Sequence, residues 1–79
     1  MAAKAFILIE TAVGRNKEII HNLRLVQGIT SVDYVTGPYD IICIIEAENL
    51  NDIGDIVTQN IHPISGIVRT TTCLALKID

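Results

Sequence analysis

Tryptophan is absent, and the only aromatic side chains are Phe6, Tyr34 and Tyr39. A sheet that stacks RNA bases needs aromatics on its central strands, so the RNA-binding reading fails on composition. Cations are scarce as well: six Lys and Arg residues are scattered at 4, 15, 17, 24, 69 and 77, and the net charge is −3. Nucleic-acid backbones are held by clustered cations, so no direct nucleic-acid partner is expected. The two cysteines, Cys43 and Cys73, sit in apolar runs and are expected as buried free thiols rather than a bridge. His21 and His62 lie far apart with no Cys or acidic residue at ligand spacing, so neither a metal nor a cofactor is expected. The opening apolar run Phe6–Ile9 stops at Glu10 with no cleavage site and too little length for a membrane span. A soluble, cytoplasmic protein is the expectation. No nucleophile–base pair stands out, and catalytic residues are expected to be none.

What the chain has in excess is aliphatic surface. Its 79 residues are 49% hydrophobic with a mean hydropathy of +0.43. One domain over residues 1–79 is expected, with no helix-turn-helix segment for reading DNA. A domain this small buries only about 60% of its unfolded surface and is commonly stabilised by a metal, disulfides or a partner subunit. With no metal or disulfide framework in view, the composition points to a partner.

Six elements follow from periodicity and punctuation. Ala5–Glu10 is rich in Ile and Phe and reads as a strand. Arg15–Val26 reads as a helix with Ile19, Leu23 and Val26 on one face, closed by Gln27-Gly28. Ile29–Thr36 and Asp40–Ala47 read as strands joined by the Gly37-Pro38 turn. Leu50 to about Ile61 reads as a second helix, entered through Glu48-Asn49, with Leu50, Ile53, Val57 and Ile61 on one face and His62-Pro63 as its stop. Gly66–Ile78 is the last strand. The order βαββαβ is that of the ferredoxin-like α+β plait: a four-stranded antiparallel sheet, order 4-1-3-2, with two helices on one face.

That architecture leaves one apolar face without a cover. Phe6 and Leu8 point opposite to Ile7 and Ile9, and Ile42 and Ile44 opposite to Ile41, Cys43 and Ile45. An antiparallel sheet with one solvated face alternates apolar and polar residues, and these strands do not. Four such residues buried by a partner, at about 1.5–3 kcal/mol each, favour an obligate homo-oligomer paired sheet to sheet through Phe6, Leu8, Ile42 and Ile44.

Two polar clusters interrupt the aliphatic pattern, Thr36-Gly37-Pro38-Tyr39-Asp40 and Gly66-Ile67-Val68-Arg69-Thr70-Thr71-Thr72. Gly37-x-Tyr39-Asp40, followed by Gly66-Ile67-Val68-x-Thr70-x-Thr72 leading into the last strand, resembles the Lrp/AsnC family. More narrowly, it resembles that family's C-terminal effector-binding RAM domain, from Ala5 to Ile78. The resemblance implies dimers through the sheet, rings such as octamers or decamers, and amino-acid effectors bound between dimers. A stand-alone RAM domain could also join full-length Lrp/AsnC regulators.

A free amino acid offers an ammonium and a carboxylate. Asp40 suits the first. Thr70 and Thr72, on one side of their strand, suit the second, while Gly37 allows close backbone approach and Tyr39 walls the site. The turn between strands two and three is expected at one end of the sheet and the start of strand four at the other, so the clusters would meet on one ligand from different subunits. Plainer readings stand beside this one. Gly37–Asp40 can be an ordinary turn whose Asp accepts a backbone hydrogen bond, and Thr70–Thr72 simply β-favouring sequence. The alternatives to a sensor of amino acids or related small metabolites are a ligand-free scaffold or hetero-oligomerising subunit, and a small monooxygenase-type enzyme.

Overall fold

The computed structural model describes residues 3–76. Strands β1 (Ala3–Thr11), β2 (Ile29–Tyr34), β3 (Ile41–Ala47) and β4 (Ile67–Leu74) form one antiparallel sheet in the order β2-β3-β1-β4. Helices α1 (Asn16–Arg24) and α2 (Leu50–Ile56) connect β1 to β2 and β3 to β4. This is the expected ferredoxin-like plait. The last strand stops at Leu74 rather than at Ile78, and 77–78 lie outside the described residues.

One face of the sheet is sealed by aliphatic packing. Ala5, Ile7 and Ile9 from β1 and Ile41, Cys43 and Ile45 from β3 are fully buried. They meet Ile19 and Leu23 from α1, one turn apart, and Ile53, Val57 and Ile61 from the second helical segment. Cys43 is thus a core thiol, and burial pushes its pKa up to about 11. Cys73 differs from expectation and is exposed, because β4 is an edge strand whose odd-numbered residues 69–73 face away from the helices.

The second helix also departs from a plain α-helix. Asn49 caps it by accepting from the Asp52 backbone N–H at 2.9 Å. After Ile56 it widens into a π turn over Val57–Ile61, with the His62 N–H donating to the Val57 carbonyl at 2.9 Å. Leu50, expected in the buried stripe, is 58% exposed. As the first helical residue it projects beyond the sheet toward Leu74 and Leu76, with which it lines a shallow cleft.

Among the described residues, the opposite face carries no helix. Paired residues share a face, so two rungs cross all four strands there: Asp33–Ile42–Leu8–Thr71 and Ser31–Ile44–Phe6–Cys73. Lys4 and Glu46 form a paired rung below them, and Glu10 and Arg69 one above. The centre is apolar and the rim charged. Phe6 is 36% exposed, and Leu8, Ile42 and Ile44 are half-buried by their neighbours.

Candidate functional site

Both polar clusters lie at the same end of the sheet, which corrects the expected placement. β3 and β4 are each antiparallel to β1, so both begin where β1 ends: Ile9 pairs with Ile41 on one side and Thr70 on the other. β1 nevertheless separates them by two strand spacings, roughly 10 Å.

The turn that presents Asp40 is closed by the Val35 N–H donating to the Asp40 carbonyl at 2.8 Å. Gly37 has φ 123° there, a conformation L side chains rarely adopt, and a Cβ at this position would meet open space. The Asp40 N–H donates to the Ile9 carbonyl at 2.9 Å, which fixes the turn onto the end of β1.

Asp40 then caps the end of the β1–β3 ladder. The last pair there is Ile9–Ile41, and the Thr11 N–H, two residues on and facing the same side, lies beyond it. The Thr11 N–H donates to Asp40 Oδ2 at 2.9 Å, and the Thr11 hydroxyl lies 3.3 Å from the same oxygen. The backbone-accepting role weighed from the sequence is therefore real. Asp40 Oδ1 makes no hydrogen bond among the described residues and remains an open acceptor.

Behind Asp40 runs a chain no sequence motif announced. The Thr11 hydroxyl donates to Asn16 Oδ1 at 2.5 Å, and Asn16 Nδ2 donates to the Tyr34 hydroxyl at 2.7 Å. It joins the end of β1, the first residue of α1 and the last residue of β2.

The other candidate residues divide between the two faces. Tyr39 reaches over β1 on the uncovered face, its hydroxyl 3.3 Å from Thr71 Oγ1, so it meets the threonine between the two expected ones. Thr70 and Thr72, opposite Ile9 and Ile7, lie on the helix side. Thr70 Oγ1 is 3.1 Å from His62 Nε2, and Thr72 is exposed. Arg69 extends to Glu10 at 3.4 Å as a solvated pair. One protomer therefore brings Gly37, Tyr39 and Asp40 together and holds Thr70 and Thr72 apart from them. Thr11, Asn16, Tyr34, His62 and Thr71 are the site-region residues that the sequence reading missed.

A small cleft of about 260 Å³ is lined by Gly14, Asn16, Lys17 and Tyr34, beside the Thr11–Asn16–Tyr34 chain, and the larger clefts lie elsewhere. One of about 660 Å³, beside Gly28, Glu46, Asp52 and Ile56, is at the far end of the sheet from Asp40. Among the described residues no group of three or more His, Cys, Asp or Glu is placed to hold a metal ion. No described helix is long and apolar enough to cross a membrane.

The profile of the Lrp/AsnC ligand binding domain matches residues 4–78. The chain belongs to the Lrp/AsnC family. Two curated relatives match this chain over 59 residues, 75% of its length. They are a homocitrate synthase of Sulfurisphaera tokodaii, 32% identical, and an uncharacterised HTH-type transcriptional regulator of Pyrococcus furiosus, 29% identical. The chain spans only 13% and 39% of their respective lengths. Among solved structures, FFRP-DM1 is 31% identical with a TM-score of 0.90, the match covering 95% of this chain and 100% of that one. A Neisseria meningitidis transcriptional regulator, solved as an L-Met complex, shares the fold at 17% identity and a TM-score of 0.84. The match covers 96% of this chain and 51% of that regulator.

Proposed function

We propose that this Lrp/AsnC ligand-binding domain is an amino-acid sensor that assembles through its uncovered sheet face. Asp40 carries the reading. One carboxylate oxygen is held by the Thr11 N–H while the other is left open, at a turn where Gly37 keeps the approach clear. A fixed carboxylate with a free oxygen suits an ammonium group. Thr70 and Thr72 cannot complete that site within the same protomer, so the carboxylate of the amino acid is met by these hydroxyls, or by backbone N–H groups, from a neighbouring subunit.

Assembly is the other half of the proposal. Phe6, Leu8, Ile42 and Ile44 form the apolar centre of a face rimmed by Lys4, Glu10, Glu46 and Arg69, the layout of a protein interface. Dimers paired this way leave the Asp40 end of each sheet free to meet other dimers in a larger ring. The fold neighbour solved with L-Met favours an amino acid or a close metabolite as the effector. The match to the ligand-binding domain and the HTH-type relative favour a regulatory rather than a catalytic role for this chain.

Native mass spectra of the protein with a pool of the twenty amino acids test this. An even-numbered assembly that gains amino-acid mass, at no more than one site per subunit, supports the sensor. The second reading is a ligand-free scaffold that pairs with full-length regulators, favoured by the structural task Asp40 already performs for Thr11. It predicts the same assembly with no added mass.

A further inference from the structure

We propose that Thr11 and Asn16 are positioning residues for Asp40, setting how firmly its carboxylate is presented to an amino acid's ammonium; this rests on the role given to Asp40 above. An aspartate at a hairpin exit has rotamer freedom that a bound ligand must remove, and a site already ordered avoids that cost. Here the ordering comes from three separate elements. The Thr11 N–H holds Asp40 Oδ2 at 2.9 Å, Asn16 Oδ1 receives the Thr11 hydroxyl at 2.5 Å, and Tyr34 holds the far end of the Asn16 amide at 2.7 Å.

The chemistry of the chain sets the direction of the effect. A threonine hydroxyl has one proton to donate. With Asn16 at 2.5 Å and Asp40 Oδ2 at 3.3 Å, the shorter contact takes it, and Asp40 keeps the backbone N–H as its single close donor. Asn16 thereby does two things. It anchors the end of β1 against α1, and it keeps a second donor away from the carboxylate. Without the Asn16 amide, the hydroxyl turns to Asp40 Oδ2 and competes with the ammonium for the carboxylate's charge, while the end of β1 loosens. Tyr34, which is 64% exposed, is the outer anchor, and its removal has the smallest effect.

The test is calorimetric titration of the oligomeric protein with each of the twenty amino acids singly, on wild type, Asn16→Ala, Thr11→Val, Thr11→Ser, Tyr34→Phe and Asp40→Asn. For any amino acid that binds wild type, Asn16→Ala and Thr11→Val are expected to weaken binding by roughly 3- to 10-fold, the effect of one lost hydrogen bond. Thr11→Ser recovers most of that loss, and Tyr34→Phe costs about 2-fold at most. The decisive readout is the double-mutant cycle: in an Asp40→Asn background, Asn16→Ala produces no further weakening, because its effect runs through Asp40. A merely structural role lowers the melting temperature but leaves the two losses additive. Unchanged binding by both Asn16→Ala and Tyr34→Phe, with binding weakened in Asp40→Asn, overturns the positioning role and leaves Asp40 standing. Binding unaffected by Asp40→Asn, or no binding by wild type, overturns both.

Discussion

Replacing Leu8 with Asp puts a carboxylate in the middle of the uncovered sheet face, on the rung it shares with Asp33, Ile42 and Thr71. Leu8 points away from the helices, so the protomer keeps its core of Ile7, Ile9, Ile41 and Ile45 and is expected to remain folded. The cost falls on association. Phe6 is 36% exposed and Leu8, Ile42 and Ile44 are less so, which leaves at most about a third of each residue for a partner to cover. At about 1.5–3 kcal/mol for a fully buried side chain, this gives roughly 0.5–1 kcal/mol each. Four residues on two protomers then contribute at most roughly 4–8 kcal/mol, well below what the same residues promise when counted as fully exposed. Two buried, unpaired carboxylates cost several kcal/mol, and about 4 kcal/mol already weakens a dimer roughly 1,000-fold. Sedimentation velocity at micromolar concentration is the assay, with Leu25→Asp as control, since Leu25 is 72% exposed and lies outside this face. Wild type is expected as an oligomer, Leu25→Asp unchanged and Leu8→Asp as a folded monomer. A wild-type monomer, or a Leu8→Asp protein that sediments like wild type, refutes the reasoning.

Four further outcomes follow from the packing. Cys73, exposed on the same face, is expected to react with a thiol reagent more slowly as protein concentration rises and dimers cover it, whereas Cys43 reacts only on unfolding. Burial raises the Cys43 thiol to about 11, so the folded state holds that proton more tightly than the unfolded chain; stability is full below about pH 9 and falls by about 2–3 kcal/mol between pH 9 and 11. Urea denaturation across that range, compared with Cys43→Ala, checks the slope. Gly28→Ala is expected to cost about 1–3 kcal/mol in the same assay, because the residue has φ 102° and its Cβ would lie 2.7 Å from Ile56 Cδ1. Asn49→Ala removes the cap on the Asp52 N–H and is expected to cost about 1 kcal/mol.

Much of the architecture was readable because it rests on periodicity. Period-two alternation in Phe6–Ile9 and Ile41–Ile45, and the i, i+4 pair Ile19 and Leu23, identify both the covered and the uncovered face. Leu50 and the π turn were not readable, since they depend on where the helix runs off the sheet and on how its last turn closes through the His62 N–H and the Val57 carbonyl. The shared end of β3 and β4 was derivable from strand direction alone, as both run antiparallel to β1. Thr70 and Thr72 are kept from Asp40 by the width of β1, not its length, while Tyr39 reaches across it to Thr71. Within the candidate site, Gly37 and Asp40 stood out by residue type. Thr11, Asn16 and Tyr34 did not, because a hydrogen-bond chain between three elements leaves no local pattern. Thr71 was passed over for the threonines on either side, and only the path of Tyr39 across β1 reveals its contact.

The most direct measurement of the central claim is equilibrium binding of a radiolabelled amino-acid pool to wild type and to Asp40→Asn, both first confirmed as the same assembly. The account predicts retention of a particular amino acid by wild type and a loss of about 100-fold or more in affinity for Asp40→Asn, as expected when a charged partner is removed from an ammonium. Equal retention by the two proteins, or none by either, contradicts it.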